Sequence, residues 1–145
     1  MEKHGDALSL RLFIDLYRAN TTLQRKLSNN LSSSGITLSQ FAVLEALYNK
    51  GNLCVGDIKD TILTTNGNIT VVIANLEKEG YIIRERDKDD GRKFIIIITE
   101  KGKKLVEKLF PNQKSTIIDT FKHIDDELKE KMTRELNKIW YKEKP

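Results

Sequence analysis

The sequence predicts a mainly α protein with one small β-hairpin, arranged as a winged helix-turn-helix between N- and C-terminal dimerisation helices. Three observations predict it. Apolar residues recur every three or four positions over most of the chain. Two short amphipathic patterns, "VGDIKDTIL" and "TTNGNITVVIANLEKEGYI", stand side by side, as the two helices of a helix-turn-helix do. A strand pattern that turns through a charged tip, "YIIRERDKDDGRKFIIIIT", follows them directly.

Taken in order, the first element is a long helix over about 7–32. Leu8, Leu12, Leu16, Ala19, Leu23, Leu27 and Leu31 line one face and Phe13 and Tyr17 a second, so it needs more than one packing partner. "SSSGI" breaks it. Thr37 with Gln40 three residues on is a capping box opening a second helix, with Phe41, Leu44, Ala46 and Leu47 as its buried stripe and Gly51 as its stop. "NLCV" leaves room for no more than a strand stub. The first short helix should bury Ile58, Ile62 and Leu63, and the second Ile69, Val72, Ile73 and Leu76, with Thr65 as N-cap and Gly80 as stop. After the hairpin one helix runs to Phe110, Pro111 interrupts it, and another carries Ile117, Ile118, Phe121, Ile124, Leu128, Met132, Leu136, Ile139 and Trp140. An amphipathic helix that follows a complete winged unit has no core of its own left to cover. The sequence thus divides one domain, 1–145, into a winged part at about 36–100 and dimerisation helices at about 7–32 and 101–141.

The polar positions point to DNA. Thr65, Asn66, Asn68 and Thr70 at the start of the second short helix are poor helix formers whose short hydrogen-bonding side chains suit base edges and phosphates. At the hairpin tip Arg92 and Lys93 are placed for phosphates or a narrow minor groove. Asp87, Asp89 and Asp90 would repel DNA, and read instead as turn-formers and as partners holding neighbouring arginines. No Arg or Lys stands in the first turns of the reading helix to favour guanine, so the partner expected is an A·T-rich inverted repeat of double-stranded DNA, bound by a homodimer. The alternative is a winged-helix dimer that binds a protein without reading DNA, for which Arg92 and the polar helix start would have no use.

Composition agrees. The chain of 145 residues is 39% apolar and 32% charged with two prolines, and its net charge of +4 is too mild for sequence-independent nucleic-acid binding, so any such role rests on where the charge is placed. No run approaches a membrane span and no signal pattern opens the chain, which places it in the cytoplasm. Cys54, alone and without a CxxC or Cys/His neighbour, reads as a small buried residue; His4 and His123 are isolated; no metal and no cofactor is expected. The motifs of serine hydrolases, P-loop enzymes and zinc proteases are absent, and no catalytic residue is expected.

Leu76-Glu77-Lys78-Glu79-Gly80-Tyr81-Ile82, then Arg84, then Asp87, Asp90 and Arg92 at the spacing D-x-x-D-x-R, then Ile96-x-Ile98-Thr99-x-x-Gly102 form a specific combination. It resembles the MarR family of bacterial transcriptional regulators. The resemblance implies an obligate homodimer joined by the terminal helices, with Arg92 as the minor-groove residue of the wing and Asp87 and Asp90 supporting it. It further implies a repressor released by a small aromatic or phenolic ligand in a cleft between the dimer helices and the winged part, which Phe13, Tyr17, Phe41, Leu44 and Tyr48 would line. The oxidation-sensing cysteine that some members carry near the N-terminus is absent here. The chain also departs from many members in the reading helix, at Asn66, Gly67 and Val71, so operator preference does not transfer.

Overall fold

A computed structural model describes residues 3–62 and 68–141. The chain begins with α1 (His4–Asn30), 27 residues long. Its last turns lie against the rest of the chain through the half-buried Leu23, Gln24 and Leu27, whereas Leu8, Leu12, Phe13, Leu16 and Tyr17 are exposed, Leu12 at 68%. Leu31 caps the helix and is itself buried, and Gly35 turns the chain at φ +78°, a conformation only glycine adopts without strain.

The expected capping box opens α2 (Leu38–Lys50): the Thr37 hydroxyl accepts from the Gln40 N–H at 3.2 Å and the Gln40 side chain accepts from the Thr37 N–H at 2.8 Å. Phe41, Val43, Leu44, Ala46 and Leu47 are buried, which makes α2 the hub of the core. Gly51 ends it. The strand stub is β1 (Leu53–Cys54), followed by α3 (Val55–Thr61), which buries Ile58.

Next comes α4 (Ile69–Lys78), burying Ile69, Val72, Ile73 and Leu76 as its period demands. Its N-cap is Asn68, whose side chain accepts from the Thr70 N–H at 3.0 Å, and not Thr65 as the sequence suggested. Asn is at least as good a cap as Thr, and it stands immediately before the apolar period. Leu63, Thr65, Asn66 and Gly67 lie outside the described residues.

The hairpin is β2 (Ile82–Arg86) and β3 (Phe94–Ile98), paired antiparallel with Ile82 opposite Ile98 and Arg86 opposite Phe94. The strand stub β1 adds to the other edge, giving the order β1-β3-β2. β3 is thus the central strand, with Ile96 and Ile98 buried on its core face and Ile95 and Ile97 half-buried on the other.

Pro111 does not interrupt the next helix. Residues Glu100–Phe121 form one continuous α5 with Pro111 inside it. Proline removes one helical hydrogen bond, to the carbonyl of Glu107, but Glu107 and Pro111 are both exposed, so water can take that carbonyl. The break comes later, at Lys122–Ile124, and Asp125 caps α6 (Asp126–Trp140) by accepting from the Leu128 N–H at 2.8 Å. Among the described residues no helix is long and apolar enough to cross a membrane.

Candidate nucleic-acid interface

Two exposed features meet at the winged part. The first is the outer face of α4, where Asn68, Thr70, Val71, Ala74 and Asn75 are exposed while the opposite face is core. Val71 is 53% exposed, an apolar side chain held in water at the start of a helix. The sequence reading marked Asn68 and Thr70 but not Val71 and Asn75; the signal was available in the one-turn spacing of Val71, Asn75 and Lys78 around the side that Val72, Ile73 and Leu76 do not use. Asn68 is less free than expected. Its side-chain oxygen already serves the helix, so a bidentate contact with adenine would compete with the cap.

The second feature is the hairpin tip. Asp87 accepts from the Asp89 N–H at 3.0 Å and Asp90 from the Arg92 N–H at 3.1 Å, while the main chains of Asp87 and Lys93 close the turn through a 2.9 Å hydrogen bond. The aspartates therefore spend their charge on backbone donors. Among the described residues none of the tip aspartates holds an arginine side chain, contrary to what the sequence suggested; for Asp87 and Asp90 the reach of so short a side chain is used up by the N–H two residues on. Arg84 is held instead by Glu77 of α4, Nε to Oε2 at 3.1 Å, and Arg84 and Arg86 both sit over the Phe94 ring, at 5.6 and 5.7 Å from its centre. Arg86 also donates to the Gly91 carbonyl at 3.4 Å. The guanidinium of Arg92 has no protein partner among the described residues, and Arg92 and Lys93 are exposed.

The wing is fixed to its neighbours at its base. Thr99 caps α5 by accepting from the Gly102 N–H at 3.1 Å, donates its hydroxyl to the Gly80 carbonyl at 2.7 Å, and gives its own N–H to the Tyr81 carbonyl at 3.0 Å. Lys101 donates to the Glu79 carbonyl at 2.6 Å and lies 4.6 Å from the centre of the Tyr81 ring. The end of α4, the return strand and the start of α5 thus share one clamp, and the Gly80-Tyr81 and Thr99-x-x-Gly102 motifs are its two halves.

Cys54 is half-buried at the start of α3, where its sulfur donates to the Asp57 carboxylate at 3.0 Å and accepts from the Asp57 N–H at 3.5 Å. The plain buried residue expected from the sequence is in fact a helix cap.

Phe13, Tyr17, Phe41, Leu44 and Tyr48 do not converge within the chain. Leu44 is fully buried in the core, and Phe13 and Tyr17 project from the outer half of α1. Tyr48 faces α5, where its hydroxyl donates to Glu107 at 3.1 Å; this bond, with the nearby carboxylate charge, holds the phenol above its ordinary pKa. Phe41 alone lines a cleft of about 210 Å³ between α1, α2 and α5, with Asn20, Leu23, Gln24, Leu27, Leu38, Ala42, Glu45, Gln113 and Ile117. A side-chain lattice braces one wall: Asn30 donates to Gln113 at 2.9 Å and to Thr116 at 2.8 Å, and Gln113 donates to the Leu27 carbonyl at 3.0 Å.

A second, apolar groove of about 390 Å³ separates the end of α5 from α6, lined by Ile117, Ile118, Phe121, Ile124, Met132 and Leu136 among others.

Residues 25–109 match the family model described as transcriptional regulator SarA/Rot. The chain is 34% identical over 131 residues to the HTH-type transcriptional regulator MhqR of Bacillus subtilis, spanning 90% of each chain. Its fold is that of Sco3205, a MarR family transcriptional regulator from Streptomyces coelicolor solved in complex with DNA, at a TM-score of 0.85, 19% identity, and coverage of 100% of this chain and 91% of that one. A similar likeness holds to Bordetella bronchiseptica BpsR, whose DNA binding is regulated by 6-hydroxynicotinic acid, at a TM-score of 0.78, 23% identity, and coverage of 89% of this chain and 98% of that one. With more than half of its length inside the family model, and a relative alike over nearly its whole length, the chain belongs to the MarR/SarA family of winged-helix, DNA-binding transcriptional regulators.

Proposed function

We propose that this regulator is a homodimeric repressor that reads an A·T-rich inverted repeat with the exposed start of α4, anchors itself through Arg92 in the flanking minor groove, and leaves DNA when a small aromatic ligand enters the α1/α2/α5 cleft. The observation that carries the reading is Arg92: a guanidinium without a protein partner among the described residues, on a tip where Asp87 and Asp90 already accept from backbone N–H groups, at the end of a wing clamped to α4. A charge so placed can turn to phosphate without breaking an internal ion pair or hydrogen bond.

Dimerisation is supported by the apolar surface that the single chain leaves uncovered. Leu8, Leu12, Phe13 and Leu16 of α1, Ile117, Ile118 and Phe121 of α5 and Leu128, Met132, Leu136 and Ile139 of α6 are each at least 38% exposed. Monomeric proteins rarely leave so many large apolar side chains in water along three helices. A ligand role for the cleft is supported by its position, since it borders both the α1/α5 scaffold and α2, the hub on which α3, α4 and β3 pack. Such a regulator works in the cytoplasm, where its operator is. Fluorescence anisotropy with the DNA upstream of its own gene tests the proposal. Affinity should fall linearly with the logarithm of salt concentration, and the slope counts the phosphates neutralised. A chain that stays folded and dimeric yet binds that DNA no better than a scrambled sequence would refute it.

A further inference from the structure

The α1/α2/α5 cleft carries one group that fixes what kind of molecule it can hold. Glu45 stands in the middle of α2, between the buried Leu44 and Ala46, and among the described residues is the only charged side chain in the lining. It has no ion pair and no side-chain hydrogen bond among the described residues. Lys50 borders an adjoining hollow with Glu45, Ala42, Ala46, Asn49, Thr61 and Ile62, but forms no salt bridge with it. Gln113 gives one amide N–H to the Leu27 carbonyl and accepts from Asn30 at its oxygen, so it brings at most one neutral donor and no charge to the lining. The rest of the wall is Leu23, Leu27, Leu38, Phe41, Ala42 and Ile117, with the amides of Asn20 and Gln24.

We propose that this cleft selects single-ring ligands that present an O–H or N–H donor, that it rejects ring carboxylates, and that Glu45 sets the preference. The inference rests on the reading of the cleft as the ligand site. Size admits one ring: the cleft measures about 210 Å³, and a cavity of about 150 Å³ suffices for benzene. An ionised carboxylate only accepts hydrogen bonds, and a donor that reaches it makes a charge-assisted bond about twice as strong as a neutral one. An anionic ring would instead bring a second negative charge beside Glu45, between apolar walls, with no Arg, Lys or His in the lining to balance it. Burial pushes the Glu45 carboxyl above its ordinary pKa, as expected of a carboxylate that has lost water without gaining a partner.

The test uses the full-length protein and three probes of similar size: p-cresol as a neutral O–H donor, benzylamine as a cationic N–H donor, and benzoate as the anion. Binding is followed by NMR titration, with the backbone amides of Leu23, Leu27 and Ala42 reporting the cleft. The expected result is that p-cresol, benzylamine or both shift these amides, and that benzoate binds on the order of tenfold more weakly or worse. Which donor binds more tightly tells whether the site takes neutral or cationic ligands. Glu45→Gln keeps the size and removes the charge, so it should close the gap, tightening benzoate about tenfold while benzylamine weakens. Benzoate binding at the cleft of the unaltered protein as tightly as p-cresol would overturn the inference and leave the cleft as a ligand site. If no probe moves these amides, the ligand-site reading falls too. The wild-type ranking decides the question even if Glu45→Gln fails to fold.

Discussion

At Gly102 a whole junction depends on the absence of one carbon. The residue lies in the first turn of α5, where helix propensity alone would favour alanine by about 1 kcal/mol. A Cβ there would run into the Tyr81 carbonyl oxygen and approach Cγ1 of Ile98 to 2.7 Å. Both belong to the clamp that Thr99 closes, and backbone cannot swing aside as a surface side chain can. Gly102→Ala should therefore destabilise the protein by about 1–3 kcal/mol in spite of its better propensity; a urea-denaturation midpoint that stays put or rises would show that the junction yields. Arg92 is the opposite case, its side chain exposed and without a partner among the described residues, so its truncation should leave stability alone. Arg92→Ala is expected to weaken operator binding by about 1–3 kcal/mol with the denaturation curve unchanged, and full affinity in the folded variant would remove the minor-groove role. The sequence displays both residues as motif positions but does not explain them. Gly102 is required by a strand end more than one turn away in sequence, and Arg92 is available because Asp90 turned to the backbone.

At the scale of elements, legibility follows how local the determinant is. The capping box of α2, the Asp90-Gly91 turn and the β-branched return strand are specified within a few residues each, and the structure has them where the sequence put them. The N-cap of α4 was misplaced because Thr65 and Asn68 are both good caps, and what decides between them is where Ile69 begins to pack. Pro111 misled for a similar reason: a proline ends a helix unless packing on both sides holds it, and here Val106 and Gln113 are buried on either side. That makes a prediction. Pro111→Ala restores a helical hydrogen bond at an exposed position and should raise stability by about 1–2 kcal/mol, less than the full cost of a helix proline because the unfolded chain also gains freedom. A lowered melting temperature would mean that the ring, which borders the hollow beneath Tyr48, contributes packing that outweighs the bond. The α1/α2/α5 cleft was the least legible element, because α5 lies far in sequence from the α1 and α2 helices it packs on, and because Glu45 looks in sequence like one more solvated charge.

For the whole molecule, the distribution of apolar surface decides what assembles and what is read. The winged part buries its own core, so the groove between α5 and α6 and the outer half of α1 are left to one another or to a second copy. Ending the chain after Phe121 should remove one wall of that groove and yield aggregate or unfolded protein, since obligate dimers often have no stable monomer; a monodisperse monomer in sedimentation would make α6 an accessory. If two chains do associate through these faces, symmetry presents two α4 helices and two wings to the same side of a duplex, and half-sites about one helical turn apart follow. The chemistry of each half is then set by few groups. Thr70 and Val71 offer a hydroxyl and methyl groups suited to the thymine methyl, Asn75 lies one turn further along, and among the described residues the first turn of α4 holds no cation to favour guanine. The wing adds to this bias, because narrow A·T-rich minor grooves hold an arginine most strongly. The cap on Asn68 sharpens the expectation, since discrimination by a single free adenine reader gives way to weaker methyl contacts and groove shape. Selection from a random DNA pool should therefore return an inverted repeat whose A·T preference is broad across each half-site and its flanks, and should relax at the flanks alone in Arg92→Ala. A motif with an invariant guanine in each half-site, or one without two-fold symmetry, would show that the reading face or the dimer has been assigned wrongly.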